Sequence, residues 1–281
     1  MRGPKHARDG IGTACGVVAA GVVAAFLTVA VVLAGQAWSA ADPGFLFDPS
    51  SRVADRAGIG PALTGTIWLL ALTVALALPV GIGTAVYLEE YAPRTGVAAV
   101  VGGLVANLAG VPSVVYGVAG LALFARGLGM GASLLAGGCT LAVLALPTVV
   151  VTSRAAIRAV PRGLREAAYG LGATRWQVVR GQVLPAAAPG IVTGSCAAFT
   201  RTAGEAAPLL VLGAAAFMTF APRTPADPLA SLPTQVFAWS TRSQQDFAAV
   251  AAGAGVALLL VLLVMNLAAR TIRGRMQGGS A

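Results

Sequence analysis

Residues 166–185 read E-A-A-Y-G-L-G-A-T-R-W-Q-V-V-R-G-Q-V-L-P, a polar stretch between two long apolar ones. After Pro161, a residue suited to a first helical turn, Leu164, Ala168 and Leu171 recur at helical spacing. Gly170 and Gly172 allow a sharp bend with positive φ. Thr174-Arg175-Trp176-Gln177 has the S/T-x-x-E/Q form of a capping box. It predicts a second short helix with Trp176, Val179 and Val183 along one face and Pro185 at its end. Neither helix is long enough to stand alone in water. Trp176 and its neighbours therefore need a cover: the rest of the chain, a partner protein, or a lipid surface on which the segment lies.

With 57% apolar and 10% charged residues and a mean hydropathy of +0.81, the chain is not a soluble domain. Stretches of about 20 apolar residues cross a bilayer as helices, because lipid offers no partner for free backbone polar groups. Six can be drawn, at roughly 11–35, 63–88, 97–125, 131–152, 187–217 and 247–269. Two of them run long, which fits tilted or broken helices better than straight ones. The expected architecture is all-α, a polytopic membrane protein of about six transmembrane helices forming one membrane domain. Its expected layout is a tail over 1–10, a transmembrane anchor over 11–35 and an external loop over 36–62. A transmembrane domain over 63–269 follows, with a cytoplasmic loop at 153–186, and then a second tail over 270–281.

The net charge of +9 reads as a topology signal and not as a nucleic-acid footprint. With the N-terminus inside the cell, inner segments hold Arg2, Lys5, Arg8, Arg94, Arg154, Arg158, Arg162, Arg165, Arg175, Arg180, Arg270, Arg273 and Arg275. Outer segments hold only Arg52, Arg56, Arg126, Arg223 and Arg242. Thirteen against five, with Arg201 inside a span, puts both termini in the cytoplasm. Anionic membrane lipid becomes a secondary partner. Glu89-Glu90 also falls on the inner side, but acidic residues weigh little in that rule. The first span starts basic, and Ser39-Ala40-Ala41 resembles a small-residue cleavage site. Its apolar run of about 25 residues exceeds the 7–15 of a signal peptide, so a retained anchor is expected.

Cys15, Cys139 and Cys196 lie within spans at unrelated spacings and read as small buried hydrophobes. His6 is the single histidine, which excludes a His-based triad or a multi-histidine metal site. Lys5 is the single lysine and follows Pro4, so the G-x-x-x-x-G-K-[ST] loop that cradles nucleotide phosphates is absent. If ATP drives this chain, another polypeptide hydrolyses it, attached at 166–185.

Ionisable residues inside spans are costly and mark function by default. Arg201 and Glu205, within F-T-R-T-A-G-E-A-A-P over 199–208, are such a pair. At about 1.5 Å per residue from Ala186, Arg201 lies roughly 22 Å along the fifth span. The i, i+4 spacing would put both on one helical face, in the order less favourable to helix stability. Either a structural ion pair locks two helices there, or Arg201 lines the route of an anion. A guanidinium fork suits an oxyanion through paired, charge-assisted hydrogen bonds. In that second reading Glu205 holds Arg201 between transport events and releases it as the helices rearrange. Pro79, then Asn107, Pro112, Ser113 and Tyr116, then Pro147, Thr148 and Thr152 interrupt other spans. Kinks and interhelical hydrogen bonds account for each of these taken singly.

Glu166-Ala167-Ala168, Gly172 and Gln182-x-Leu184-Pro185 resemble the E-A-A…G…I-x-L-P loop of ABC importer permeases, with Gln182 where that family has Ile or Val. G-V-P-S-V-V-Y-G at 110–117 resembles the G-x-P-S-V-V-Y-G stretch of phosphate importer permeases. R-T-A-G-E-A-A-P-L-L at 201–210 resembles their R-A-x-G-E-T-A-P-L-L, with Ala206 replacing Thr. That ending, with L-P-T-Q-V-F-A-W at 232–239, is similar to the PstA-type subunit rather than its PstC-type sister. The resemblance runs from about residue 63 to the C-terminus. It implies the type I ABC importer permease fold in a bacterial cytoplasmic membrane, and transport of inorganic phosphate. It implies as partners a PstC-type sister permease, two PstB-type ATPase subunits that bind the ATP and magnesium, and a PstS-type phosphate-binding protein. No cofactor is implied in this chain, and no catalytic residue. Carried over position by position, it implies a substrate pathway at Asn107, Ser113, Tyr116, Arg201 and Glu205. ATPase coupling is implied at Glu166, Ala167, Ala168, Gly172, Trp176, Leu184 and Pro185.

Rival readings come from other classes. A secondary transporter needs no ATPase but leaves the E-A-A segment unexplained. A membrane-embedded enzyme calls for clustered His, Asp or Glu within spans, where only Glu205 stands. Among ABC importers, a sulfate, molybdate or phosphonate permease is the competitor.

Overall fold

The computed structural model describes residues 5–38, 44–93, 96–215 and 217–278. Arg2 and Arg94 of the charge count, and the Ser39-Ala40-Ala41 site, lie outside these residues. Among the described residues the regular structure is helical apart from one isolated bridge between Ser133 and Pro228, with loops between the helices. Helix α1 covers Lys5–Trp38, and α2 covers Gly60–Val86 and runs on through a π turn at Tyr87–Tyr91. Next come α3 (Gly96–Leu108), α4 (Ser113–Gly120, extended by a π turn at Leu121–Gly127) and α5 (Leu134–Arg158). A short α6 (Arg162–Gly170) precedes α7 (Arg175–Val178), which a π turn at Val179–Val183 joins to α8 (Leu184–Ala203). Three helices close the chain: α9 (Ala207–Leu212), α10 (Leu232–Ser240) and α11 (Asp246–Gly278).

Among the described residues, five stretches are long and apolar enough to cross a membrane: Cys15–Ala37, Gly60–Tyr91, Leu134–Arg158, Arg175–Ala203 and Asp246–Met276. A sixth is made only by joining Val100–Leu108 to Ser113–Gly127, which meet at 97°. The third apolar run is thus broken. Pro112 at the start of α4 lacks the N–H that would continue α3. The carbonyls freed there need partners. Asn107 O accepts from Gly110 N at 3.0 Å, and Leu108 O accepts from Val111 N at 3.1 Å. The Tyr116 hydroxyl donates to Leu108 O at 2.8 Å.

The expected fifth span, 187–217, is corrected at both ends. Its helix begins at Arg175 and stops at Ala203. Gly204 N and Glu205 N close onto Arg201 O and Thr202 O at 3.2 and 3.1 Å, tightening the last turn. Pro208 then opens α9, a separate six-residue helix.

Packing follows small residues. Helices α2 and α5 form the central pair, α8 lies on α5, and α11 contacts α8, α10 and α1. Ala77, Ala142, Ala145, Val149, Ala198 and Phe199 make one buried cluster where these meet. Hydroxyls within the spans fold back onto their own helices: Thr66, Thr73 and Thr140 donate to carbonyls four residues earlier at 2.7–2.8 Å. Helix α1 presents apolar side chains such as Val17, Val22, Phe26 and Val31 outward, as a lipid-facing helix does. The L-P-T-Q-V-F-A-W motif is a structural element whose Leu232, Pro233, Thr234, Gln235 and Trp239 are buried. Ser231 caps α10, Leu232 N donates to Thr66 Oγ1 at 2.8 Å, and Trp239 packs against Phe247.

Candidate functional site

Two places gather the residues singled out by sequence. The first lies at the end of the bundle where α2, α5, α6 and the α7–α8 helix converge. Ala85, Val86, Ile157, Ala168, Val179 and Val183 belong to one buried cluster there. Full burial of a valine side chain is worth about 1.5–3 kcal/mol. Val178, Val179 and Val183 are all fully buried, so the segment is held firmly against the body.

Local expectations hold in part. Thr174 and Gln177 form the capping box, with Thr174 N donating to Gln177 Oε1 at 2.7 Å and Gln177 N to Thr174 Oγ1 at 3.4 Å. Gly172 turns the chain at φ +78°, a conformation open to glycine. Gly170 does not share it; it is the last residue of α6. Pro185 does not end a helix. It sits inside the continuous Arg175–Ala203 helix, and the π turn just upstream accommodates its missing donor. That same turn rephases the helical face. Val178, and not Trp176, shares the burial of Val179 and Val183, while Trp176 is 56% exposed.

What remains outside is an apolar patch on a polar segment. Leu164, Tyr169 and Leu171 are 42, 45 and 90% exposed, and Trp176 is exposed on the next helix. Of the expected Leu164, Ala168, Leu171 stripe, only Ala168 is buried. Glu166, Ala167, Gly172 and Pro185 are exposed as well, and Leu184 is half-buried.

Charges beneath this patch are paired inside the chain. Glu89 binds Arg154 Nε and Arg158 Nε, each at 2.7 Å. Glu90 accepts from Arg165 at 2.9 and 3.1 Å. A cleft of about 1040 Å³ opens beside them, bordered by Tyr91, Arg162, Glu166, Tyr169 and Arg175. Arg175 lies over the Tyr91 ring, 5.2 Å from its centroid. In the sequence these arginines signal orientation alone. Their partners stand 65–75 positions away, and no local spacing points to them.

The second place is where the two broken spans meet. Helix α4 packs on α9 because Gly117 permits it: a Cβ there would sit 2.7 Å from Pro208 Cα and 2.8 Å from Pro208 O. The 110–117 and 201–210 motifs are therefore neighbours in space. Tyr116 is buried, with its hydroxyl spent on Leu108 O, whereas Asn107 is exposed and Ser113 half-buried. Arg201 and Glu205 do not share a helical face. Arg201 is in the last turn of α8, and Glu205 lies beyond the Gly204 cap. Among the described residues neither side chain has an ion-pair or hydrogen-bond partner. Arg201 is exposed at the negative end of the helix dipole, which favours a cation there. An open guanidinium in an otherwise apolar helix is suited to an anion or to a carboxylate brought by another chain.

Comparisons with known proteins agree with this geometry. The chain is 34% identical over 238 residues to the probable ABC transporter permease protein YqgI of Bacillus subtilis, covering 80% of this chain and 81% of that one. It is 37% identical over 221 residues to the phosphate transport system permease protein PstA 1 of Mycobacterium tuberculosis, covering 77 and 70%. Its fold resembles that of the MetNI methionine ABC transporter in inward-facing conformations, with a TM-score of 0.63 at 21% identity over 77% of this chain and 96% of that one. Residues 77–278 match the family described as binding-protein-dependent transport system inner membrane component. The chain belongs to that family, as a membrane-embedded permease subunit and not an enzyme.

Proposed function

We propose that this chain is the permease subunit of an ATP-driven importer of inorganic phosphate. It forms the translocation pathway with a sister permease and is worked by two separate ATPase subunits docked on residues 162–185. The observation that carries the coupling is the exposed patch of Leu164, Tyr169, Leu171 and Trp176, displayed on a segment whose other face is fully buried. That exposure argues against a cover from the rest of this chain and favours a partner protein or lipid. The exposed Glu166 and Ala167 and the Gly172 turn favour the protein partner, which the resemblance of this segment to the E-A-A loop of importer permeases implies.

Phosphate is supported by the paired 110–117 and 201–210 segments, and by the PstA name of the relatives. Arg201 would meet the anion, with Asn107 and Ser113 along the route. The arginine distribution supports a cytoplasmic docking face and cytoplasmic termini. ATP and magnesium belong to the ATPase subunits, and a phosphate-binding protein would deliver substrate from outside.

The test is uptake into proteoliposomes holding the complete transporter and its binding protein. ATP-dependent phosphate accumulation, competed by unlabelled phosphate and not by sulfate or phosphonate, is the expected result. Accumulation competed best by sulfate or a phosphonate would reassign the substrate. Uptake that survives without ATP and collapses with an ionophore would replace the reading with a secondary transporter.

A further inference from the structure

We infer that Glu90 and Arg165 are positioning residues: together they form the joint through which a pull on α6 reaches the second and fourth spans. The inference rests on the proposed docking of an ATPase at 162–185 and says how that docking moves the bundle.

One guanidinium ties three elements. Arg165 lies on α6, one residue before Glu166. Its Nε and Nη2 donate to Glu90 Oε1 at 3.1 and 2.9 Å. Its Nη2 also donates to Ile157 O at 2.9 Å, and its Nη1 to Val160 O at 2.7 Å. Glu90 sits in the π turn that ends α2. Ile157 is in the last turn of α5, where its carbonyl also accepts from Val160 N at 3.3 Å, and Val160 lies just past the helix; both carbonyls stand at the dipole's negative end. Arg165 therefore holds the ends of α2 and α5 at once. Lysine has no comparable planar fork to reach three acceptors in different directions.

Glu89 does a different job with the neighbouring residue. Both of its partners, Arg154 and Arg158, are on α5, so it joins α2 to α5 and leaves α6 out. The two ends thus act as one body, and Arg165 is the polar link from that body to α6. Beneath the link the apolar contact is light on the α6 side, where Ala168 is the buried residue. A small side chain makes a poor grip, whereas directional, charge-assisted bonds resist both tilt and slide. The pair is also shielded, with Glu90 9% and Arg165 18% exposed, so salt and water weaken it less than a surface pair. The cleft opens on one flank of α6, and besides this pair α6 rests on α7 and on the π turn at Val179–Val183.

The test uses the complete transporter in proteoliposomes, with uptake and ATP hydrolysis read from the same vesicles. Glu90→Gln keeps volume and an acceptor oxygen but removes the charge; Arg165→Lys keeps the charge and removes the fork. For both, the ATPase subunits should still co-purify at wild-type stoichiometry while phosphate moved per ATP falls about tenfold or more. Glu89→Gln should lower that ratio far less. An unchanged ratio in assembled Glu90→Gln complexes would overturn the inference, as would uptake and hydrolysis falling in proportion. Failure of Glu90→Gln to assemble would make the pair a folding element and overturn it too. Glu166→Arg separates the two readings. If that variant keeps its ATPase subunits and full uptake, the docking proposal fails. If it loses them while Glu90→Gln keeps a wild-type ratio, only the joint fails.

Discussion

The helix that starts at Arg175 treats charge in opposite ways at its two ends. Beside its beginning, Glu89 and Glu90 hold Arg154, Arg158 and Arg165 at 2.7–2.9 Å, and each carboxylate is satisfied within the chain. At its far end Arg201 is exposed and unpaired among the described residues, with Glu205 displaced beyond the helix cap. Internal pairing makes a region stiff, because each contact is lost if its elements shift. An unpaired charge in apolar surroundings instead stores a demand for a partner from outside. The first arrangement suits the transmission of force and the second suits recognition of an anion.

Removing the unpaired charge should have the largest effect on function. Arg201→Ala is expected to cut phosphate uptake about 100-fold, equivalent to about 2.7 kcal/mol of lost stabilisation, while thermal stability and assembly stay within error of wild type. Wild-type uptake by that variant would reduce Arg201 to a structural residue and erase the contrast. A purely structural disturbance comes next. Gly117→Leu drives a side chain into Pro208 and Val211 and should destabilise the purified chain by about 1–3 kcal/mol, read as a drop in Tm. An unchanged Tm would mean that α4 and α9 are not held at the observed distance. Smallest is Tyr116→Phe, which deletes the bond to Leu108 O. The expected cost is about 1 kcal/mol, with uptake kept within about twofold. A loss of uptake comparable with that of Arg201→Ala would return the Tyr116 hydroxyl to the substrate route.

Much of this was legible in the residues, and the illegible part has physical causes. Apolar runs long enough to cross a bilayer, the Thr174–Gln177 box and the Gly172 bend are local signals, and each stands in the structure as a local feature. The break after Ala203 was written only as a glycine and a proline within an apolar run, a pattern that membrane helices also tolerate without breaking. Helical spacing accordingly misplaced Glu205. The π turn at Val179–Val183 has no residue signature, and it shifted the face on which Trp176 was expected. The pairings of Glu89 and Glu90 needed the fold itself, since their arginines come from elements far along the chain.

The most direct measurement substitutes the exposed patch and asks whether the transporter still works uphill. Complete transporters carrying Leu171→Asp and Trp176→Asp, both at exposed positions, would be assayed for ATP-driven phosphate accumulation in proteoliposomes. The membrane chain should fold and pair normally, lose its ATPase subunits on purification, and accumulate no phosphate above the outside concentration. Accumulation at the wild-type level by this variant would show that force enters the permease elsewhere, and would contradict the assignment of residues 162–185 as the coupling segment.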